Sequence, residues 1–241
     1  MAAACSALPA HAGPADRLMQ LAKGFEDAAL RLDDDSAEAG EIVRWDGPIV
    51  MAFVKPGLAP RQAELMRKAV REIALVAGVT VREVEASDPA ANFVGRYSDS
   101  ASAGAGGGRN NCFSSSTWKD GRLRRVDLNF GARLGLGGDR CVEHEVVHGF
   151  GLTAHPHGLD SILSYVYNRE GVTSTDRLLI ETLYERRLRP GMPRAVAAPI
   201  ACRILADKTG VSARMAEPIC ALRGIVAPPT LVRFSHDGSR P

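Results

Sequence analysis

Four of the six histidines of the chain crowd into fourteen positions, at His144, His148, His155 and His157. The segment runs His144-Glu145-Val146-Val147-His148-Gly149-Phe150-Gly151-Leu152-Thr153-Ala154-His155-Pro156-His157. Residues four apart share one face of a helix, so His144 and His148 can each aim a ring nitrogen at one ion. Glu145, next to the first of them, reaches a water held by that ion without ligating it. Gly151 lets the chain turn sharply, and Pro156 discourages helix beyond His155. A later histidine then returns to the same point. The pattern reads as a metal site that activates water. The plainer alternative is a solvated histidine-rich helix, or two core histidines with hydrogen bonds.

Such a site needs a frame. From residue 14 to 31, Leu18, Leu21, Phe25 and Ala29 follow helical spacing, and Asp33-Asp34-Asp35 ends the pattern. Residues 49–54 are a short apolar run closed by Pro56-Gly57, which predicts a buried strand. Pro60 opens a helix with Leu65, Ala69, Ile73 and Val76 on one face and Gly78 at its end. Residues 79–84 alternate as a half-buried strand, and 92–97 predict a third. Residues 100–108, nearly all Ala, Ser and Gly, read as a flexible loop. Residues 112–118 and 122–130 flank Asp120-Gly121, a hairpin turn. A helix over 141–150 carries the histidine pair, and another over 173–187 opens on a capping box of Thr173 and Asp176. Beyond Pro190 the chain reads as irregular, with one short helix over 195–208. The order of elements predicts a single α/β or α+β domain.

The histidine segment resembles the metzincin zinc-protease motif, His-Glu-x-x-His-x-x-Gly-x-x-His followed by a Met-turn. His144, Glu145, His148 and Gly151 match it. Ala154 stands where the third histidine belongs and His155 follows, so one added residue is expected to bulge from the turn. Ser161-Ile162-Leu163-Ser164-Tyr165 resembles the Ser-Ile-Met-x-Tyr turn beneath the zinc, with Leu163 in place of Met. The eight-residue step from His155 to Leu163 is like that of the matrix metalloproteases and favours His155 over His157. Over roughly residues 40–195 the chain is also similar to an exported bacterial family, domain of unknown function 2927. The shared features are Arg44-Trp45, the cysteine before the histidine helix, and Leu183-Tyr184 leading to Leu188-Arg189-Pro190-Gly191-Met192.

The resemblance implies a catalytic domain over residues 14–195: a metzincin-like mixed sheet, α/β-like in its upper part, with a backing helix and an active-site helix. Residues 196–241 follow as a C-terminal extension, and the end of the chain forms a small irregular subdomain. It implies one catalytic Zn²⁺ on His144, His148 and His155, with Glu145 as general base. Tyr165 then hydrogen-bonds the oxyanion or, alternatively, only packs at the rim of the cleft. The implied substrate is a peptide or protein docked antiparallel along an edge strand over 111–118, with the 100–108 loop above it. An internal strand there, paired on both edges, is the alternative. The function that follows is an exported endopeptidase; the competing reading is a non-catalytic cell-envelope binding or scaffolding domain on the same frame.

Composition bounds these readings. The chain has 241 residues, 45% hydrophobic and 24% charged, which excludes a wholly disordered chain, a collagen and a coiled coil. Lys+Arg of 30 against Asp+Glu of 28 leaves a net charge of +2, which makes no electrostatic case for nucleic acid or an anionic membrane. Arg122, Arg124 and Arg125 read as a solvated strand face. Gly135-Leu136-Gly137-Gly138 lacks the context and the third glycine of a dinucleotide fingerprint. No apolar run approaches the ~18 residues that span a bilayer. Residues 1–13 read as a signal-peptide remnant, with Ala10-His11-Ala12 as the cleavage form, or as a disordered terminus. Ala3-Ala4-Cys5-Ser6 also suits a lipoprotein junction, with a lipid anchor at Cys5. The other four cysteines allow three pairings. The local ones, Cys112–Cys141 and Cys202–Cys220, would place the protein in the periplasm, the envelope or outside the cell. Four buried thiols in a cytosolic protein are the alternative.

Overall fold

The computed structural model describes residues 13–30, 40–54, 58–97, 112–131, 138–167 and 169–224. Cys5 and the possible signal remnant, the Asp33-Asp34-Asp35 stop, the 100–108 loop, most of the Gly135 to Gly138 run and the last seventeen positions, 225–241, lie outside the described residues.

The elements are α1 (Pro14–Ala29), β1 (Ile49–Phe53), α2 (Pro60–Ala77), β2 (Val81–Glu83), β3 (Phe93–Tyr97), β4 (Cys112–Lys119), β5 (Arg122–Phe130), α3 (Gly138–His148), α4 (Ser174–Leu183), α5 (Arg194–Thr209) and α6 (Ala213–Ala221). The fold is α+β around one mixed sheet in the order β2-β1-β3-β5-β4. β1 pairs with β2 and β3 in parallel, β3 pairs with β5 in parallel, and β4 alone runs antiparallel. Asp120 (φ 51°) and Gly121 (φ 67°) both lie in the left-handed region, the two-residue turn that matches strand twist and returns β4 into β5.

α2 begins on Pro60 and stops at Gly78, whose φ of 68° ends the helix in a left-handed cap. Its buried face is Met66, Ala69, Val70, Ile73 and Ala74. That face lies on Met51, Phe93, Val126 and Leu128 of the sheet within one apolar cluster, which also holds α3. On the opposite face Ala52, Val94 and Ala91 form a smaller cluster. There Asp127 binds Arg125 (2.8 Å) and Arg96, so the expected solvated arginine face is partly an ion-paired one.

The helix expected over 195–208 is present as α5, but the expectation that the rest of the C-terminal subdomain is irregular is corrected by a second helix, α6. α5 and α6 are regular helices, joined by the Cys202–Cys220 disulfide (Cα–Cα 5.3 Å), and α5 packs on α1. α5 runs through positions 195 and 196, the expected start of the extension. Its buried residues, Ala197, Ala198, Ala201, Cys202, Ile204, Leu205 and Ala206, fall around more than one face, and Pro199 and Pro218 sit inside the two helices. α6 buries only Ala216 and Cys220 and holds Pro218, too short a pattern to read in the sequence.

Candidate metal centre

α3 ends at His148, so His144 and His148 occupy its last two turns. The helix stops because Gly151 adopts a φ of +102°, closed to other L-residues, and the chain passes so near Val43 that a Cβ at Gly151 would stand 2.0 Å from the Val43 carbonyl oxygen. Two aromatic side chains clamp this exit. Trp45 Nε1 donates to the Gly149 carbonyl (2.9 Å), and the Tyr184 hydroxyl donates to the Phe150 carbonyl (3.0 Å) while accepting the Trp45 N–H (3.2 Å). The Trp45 and Tyr184 that mark the resemblance thus set the direction in which the chain leaves α3. Gly151→Ala should cost roughly 2–4 kcal/mol through forced dihedral and clash together, read as a lowered midpoint in urea unfolding; an unchanged midpoint would show that this turn relaxes freely.

From Gly151 the backbone does not bulge outward, as the added residue suggested. Ala154 is buried (5% exposed) and its N–H donates to the Ala28 carbonyl at the end of α1 (3.0 Å), so the additional residue is taken up against α1. His155 then returns to the helix. Its Nε2 lies 3.1 Å from His144 Nε2 and 3.3 Å from His148 Nε2, and the latter two are 3.1 Å apart. His157 is exposed and stands outside this cluster.

The tautomers follow from the partners. His144 Nδ1 donates to the Ile162 carbonyl (3.0 Å) and His148 Nδ1 to the Leu152 carbonyl (2.5 Å). A carbonyl only accepts, so the proton of each neutral ring sits on Nδ1 and both Nε2 atoms carry lone pairs. Lone pairs facing each other at 3.1 Å repel unless an electrophile lies among them. Zinc–imidazole bonds of about 2.0–2.1 Å give a coordination tetrahedron with edges of about 3.3 Å, so the spacing of the three nitrogens fits a divalent ion of that size. Burial, then the neighbouring His148 and His155, push the His144 pKa down to about 3, which keeps the ring uncharged and able to ligate near neutral pH. Among the described residues, His144, His148 and His155 are the one group of three or more His, Cys, Asp or Glu side chains placed to hold a metal.

Glu145 is buried (8% exposed), and its Oε1 touches Cys112 Sγ at 3.7 Å. Cys112 is bonded to Cys141 (Cα–Cα 6.2 Å), so the first turns of α3 are tied to the start of β4 beside the carboxylate. The Tyr165 ring stacks on His155 with centroids 4.1 Å apart and is 70% exposed.

Sequence reasoning found Asp176 only as a helix cap. It is fully buried and does more than cap α4. Its Oδ2 accepts from Thr173 N–H (2.8 Å), Thr173 Oγ1 (2.7 Å) and Ile162 N–H (3.0 Å), and its Oδ1 accepts from Ser161 Oγ (2.5 Å). Arg140, one turn before His144 on α3, donates to the Ser164 carbonyl (3.1 Å). The turn at residues 161–164, with Leu163 fully buried, is thereby held from α3 and α4 at once. The capping box of Thr173 and Asp176 was the available signal, but the second set of partners of Asp176, Ser161 and Ile162, lies more than ten residues earlier and left no trace in spacing.

A fixed trio of imidazole nitrogens, a buried carboxylate on the same helix and an exposed tyrosine over one of the rings can bind a metal and pass protons beside it. Compared with known proteins, the chain matches no family model and no curated protein.

Proposed function

We propose that the protein is an exported zinc-dependent endopeptidase. The observation that carries this reading is the convergence of His144, His148 and His155 Nε2 on one point, with Glu145 next to the first of them on α3. His144, His148 and His155 would hold the zinc ion, which when bound would supply a Lewis acid able to lower the pKa of a bound water to about 7 and to polarise a carbonyl. Glu145 has no cationic partner among the described residues, so its carboxylate is available to accept a proton from the attacking water and return it to the leaving amine. Tyr165, seated on His155, offers its hydroxyl to the oxyanion.

The position of β4 at the edge of the sheet supports a peptide substrate, because an extended chain can add to that edge through main-chain bonds. The register tells which residues are available. Val126 N–H donates toward β3, to the Asn92 carbonyl (2.8 Å), so Asp127 turns its backbone groups toward β4. Ser115, opposite Asp127, therefore spends its N–H and C=O within the sheet, while Ser114 and Ser116 present theirs to the side where no strand among the described residues pairs. Ser114→Pro should preserve folding and zinc content and lower kcat/KM roughly three- to tenfold, the worth of one hydrogen bond. Ser115→Pro should instead break the ladder and lower the thermal midpoint. Full activity in Ser114→Pro would remove β4 as the docking strand.

The two disulfides support an oxidising compartment, and no helix among the described residues is long and apolar enough to cross a membrane. The direct test is hydrolysis of an unfolded generic protein. Activity abolished by a chelator and restored by zinc supports the endopeptidase. Zinc-loaded protein without turnover on any such substrate contradicts it and leaves the binding or scaffolding reading.

A further inference from the structure

His144 reaches a buried carboxylate through a peptide unit. Its Nδ1–H donates to the carbonyl of Ile162 (3.0 Å). The N–H of that same peptide group, on Leu163, donates to Ser161 Oγ (3.0 Å), and Ser161 Oγ–H donates to Asp176 Oδ1 (2.5 Å). Ser161, Ile162, Leu163 and Asp176 are all fully buried, so water does not interrupt the chain of bonds. Each bond polarises the next in the same sense. The carboxylate strengthens Ser161 as an acceptor, the peptide N–H gives up positive charge to it, and the Ile162 oxygen becomes a stronger acceptor for the imidazole.

We infer that Ser161 and Asp176 are positioning residues for the metal: a carboxylate–hydroxyl–peptide relay that fixes the His144 ring and strengthens its Nε2 as a donor. A carboxylate bonded directly to a ligating histidine does this in one step. Here the same charge acts through one hydroxyl and one peptide group. His148 Nδ1–H donates instead to the Leu152 carbonyl, outside the chain of bonds through Ser161 and Asp176, and serves as an internal control. The inference rests on the reading that the triad holds zinc, and not on turnover.

The test is zinc affinity, measured by competition with a chromophoric chelator on the full chain, together with the ring N–H proton resonances of the zinc-loaded protein. Ser161→Ala should weaken zinc binding by about 10–100-fold and move the His144 Nδ1–H resonance, while that of His148 stays in place. Asp176→Asn gives a second, independent variant. Its remaining oxygen must serve the three donors from Ile162 and Thr173, which turns the amide N–H₂ toward Ser161 and forces the hydroxyl to accept instead of donate. The same loss and the same selective shift are expected, and this variant decides if Ser161→Ala does not fold. Unchanged affinity in the folded variant, or equal movement of both histidine resonances, would overturn the relay while leaving the zinc site. Wild-type protein that takes up no zinc would overturn the metal reading and the relay with it.

Discussion

Glu145→Ala is expected to lower peptide hydrolysis by about 10²–10⁴-fold, the usual worth of a positioned general base, and to leave the zinc content of the protein unchanged. The separation of the two effects is the point. Glu145 sits one residue from His144, about 100° around the helix from the face that His144 and His148 share, with its Oε1 against the Cys112–Cys141 bridge. It belongs to the site without contributing to the trio of nitrogens. Glu145→Gln, which keeps the size and cannot take the proton, should lose as much. Steady-state kinetics beside metal analysis of the same preparations checks this. Loss of zinc in Glu145→Ala would make the carboxylate a ligand, and retained turnover would remove it from the reaction.

His155→Ala is expected to weaken zinc binding on the order of 10²–10³-fold, about one ligand's share of the ~10–16 kcal/mol seen for four-ligand zinc sites. His157→Ala should leave affinity within about twofold of wild type. Two positions separate these histidines, yet their surroundings differ. Ala154 is anchored to the end of α1, which places the His155 ring against His144 and His148 and beneath Tyr165, whereas His157 is exposed. Chelator competition on the two variants decides it, and equal losses, or a larger loss in His157→Ala, would contradict the ligand assignment.

Features with local causes were legible in the sequence. The His144/His148 pair shares a helical face, Asp120-Gly121 closes the hairpin, Pro60 and Gly78 bound α2, and both local cysteine pairs are bonded. Each depends on residues a few positions apart, or on the short loop between two cysteines. The rest depended on contacts distant in the chain. Whether β4 lay inside the sheet or at its edge was set by the parallel pairing of β3 with β5, which no hairpin pattern encodes. The accommodation of Ala154 required α1, more than a hundred residues earlier. Asp176 had the signature of a cap and also carries the turn under His144, because one buried carboxylate can accept four hydrogen bonds and spacing reveals only the near ones. α6 escaped because it is short, buries only Ala216 and Cys220, and holds an internal proline.

The central claim, a zinc ion held by three histidines, is tested most directly by the metal content of the full-length protein purified without chelators. The account predicts about one zinc per chain, removed by a strong chelator and absent from a His144→Ala/His148→Ala double variant that retains the wild-type circular dichroism spectrum. Protein that carries no zinc and takes up none on dialysis against it, or zinc that persists in the double variant, would contradict the account.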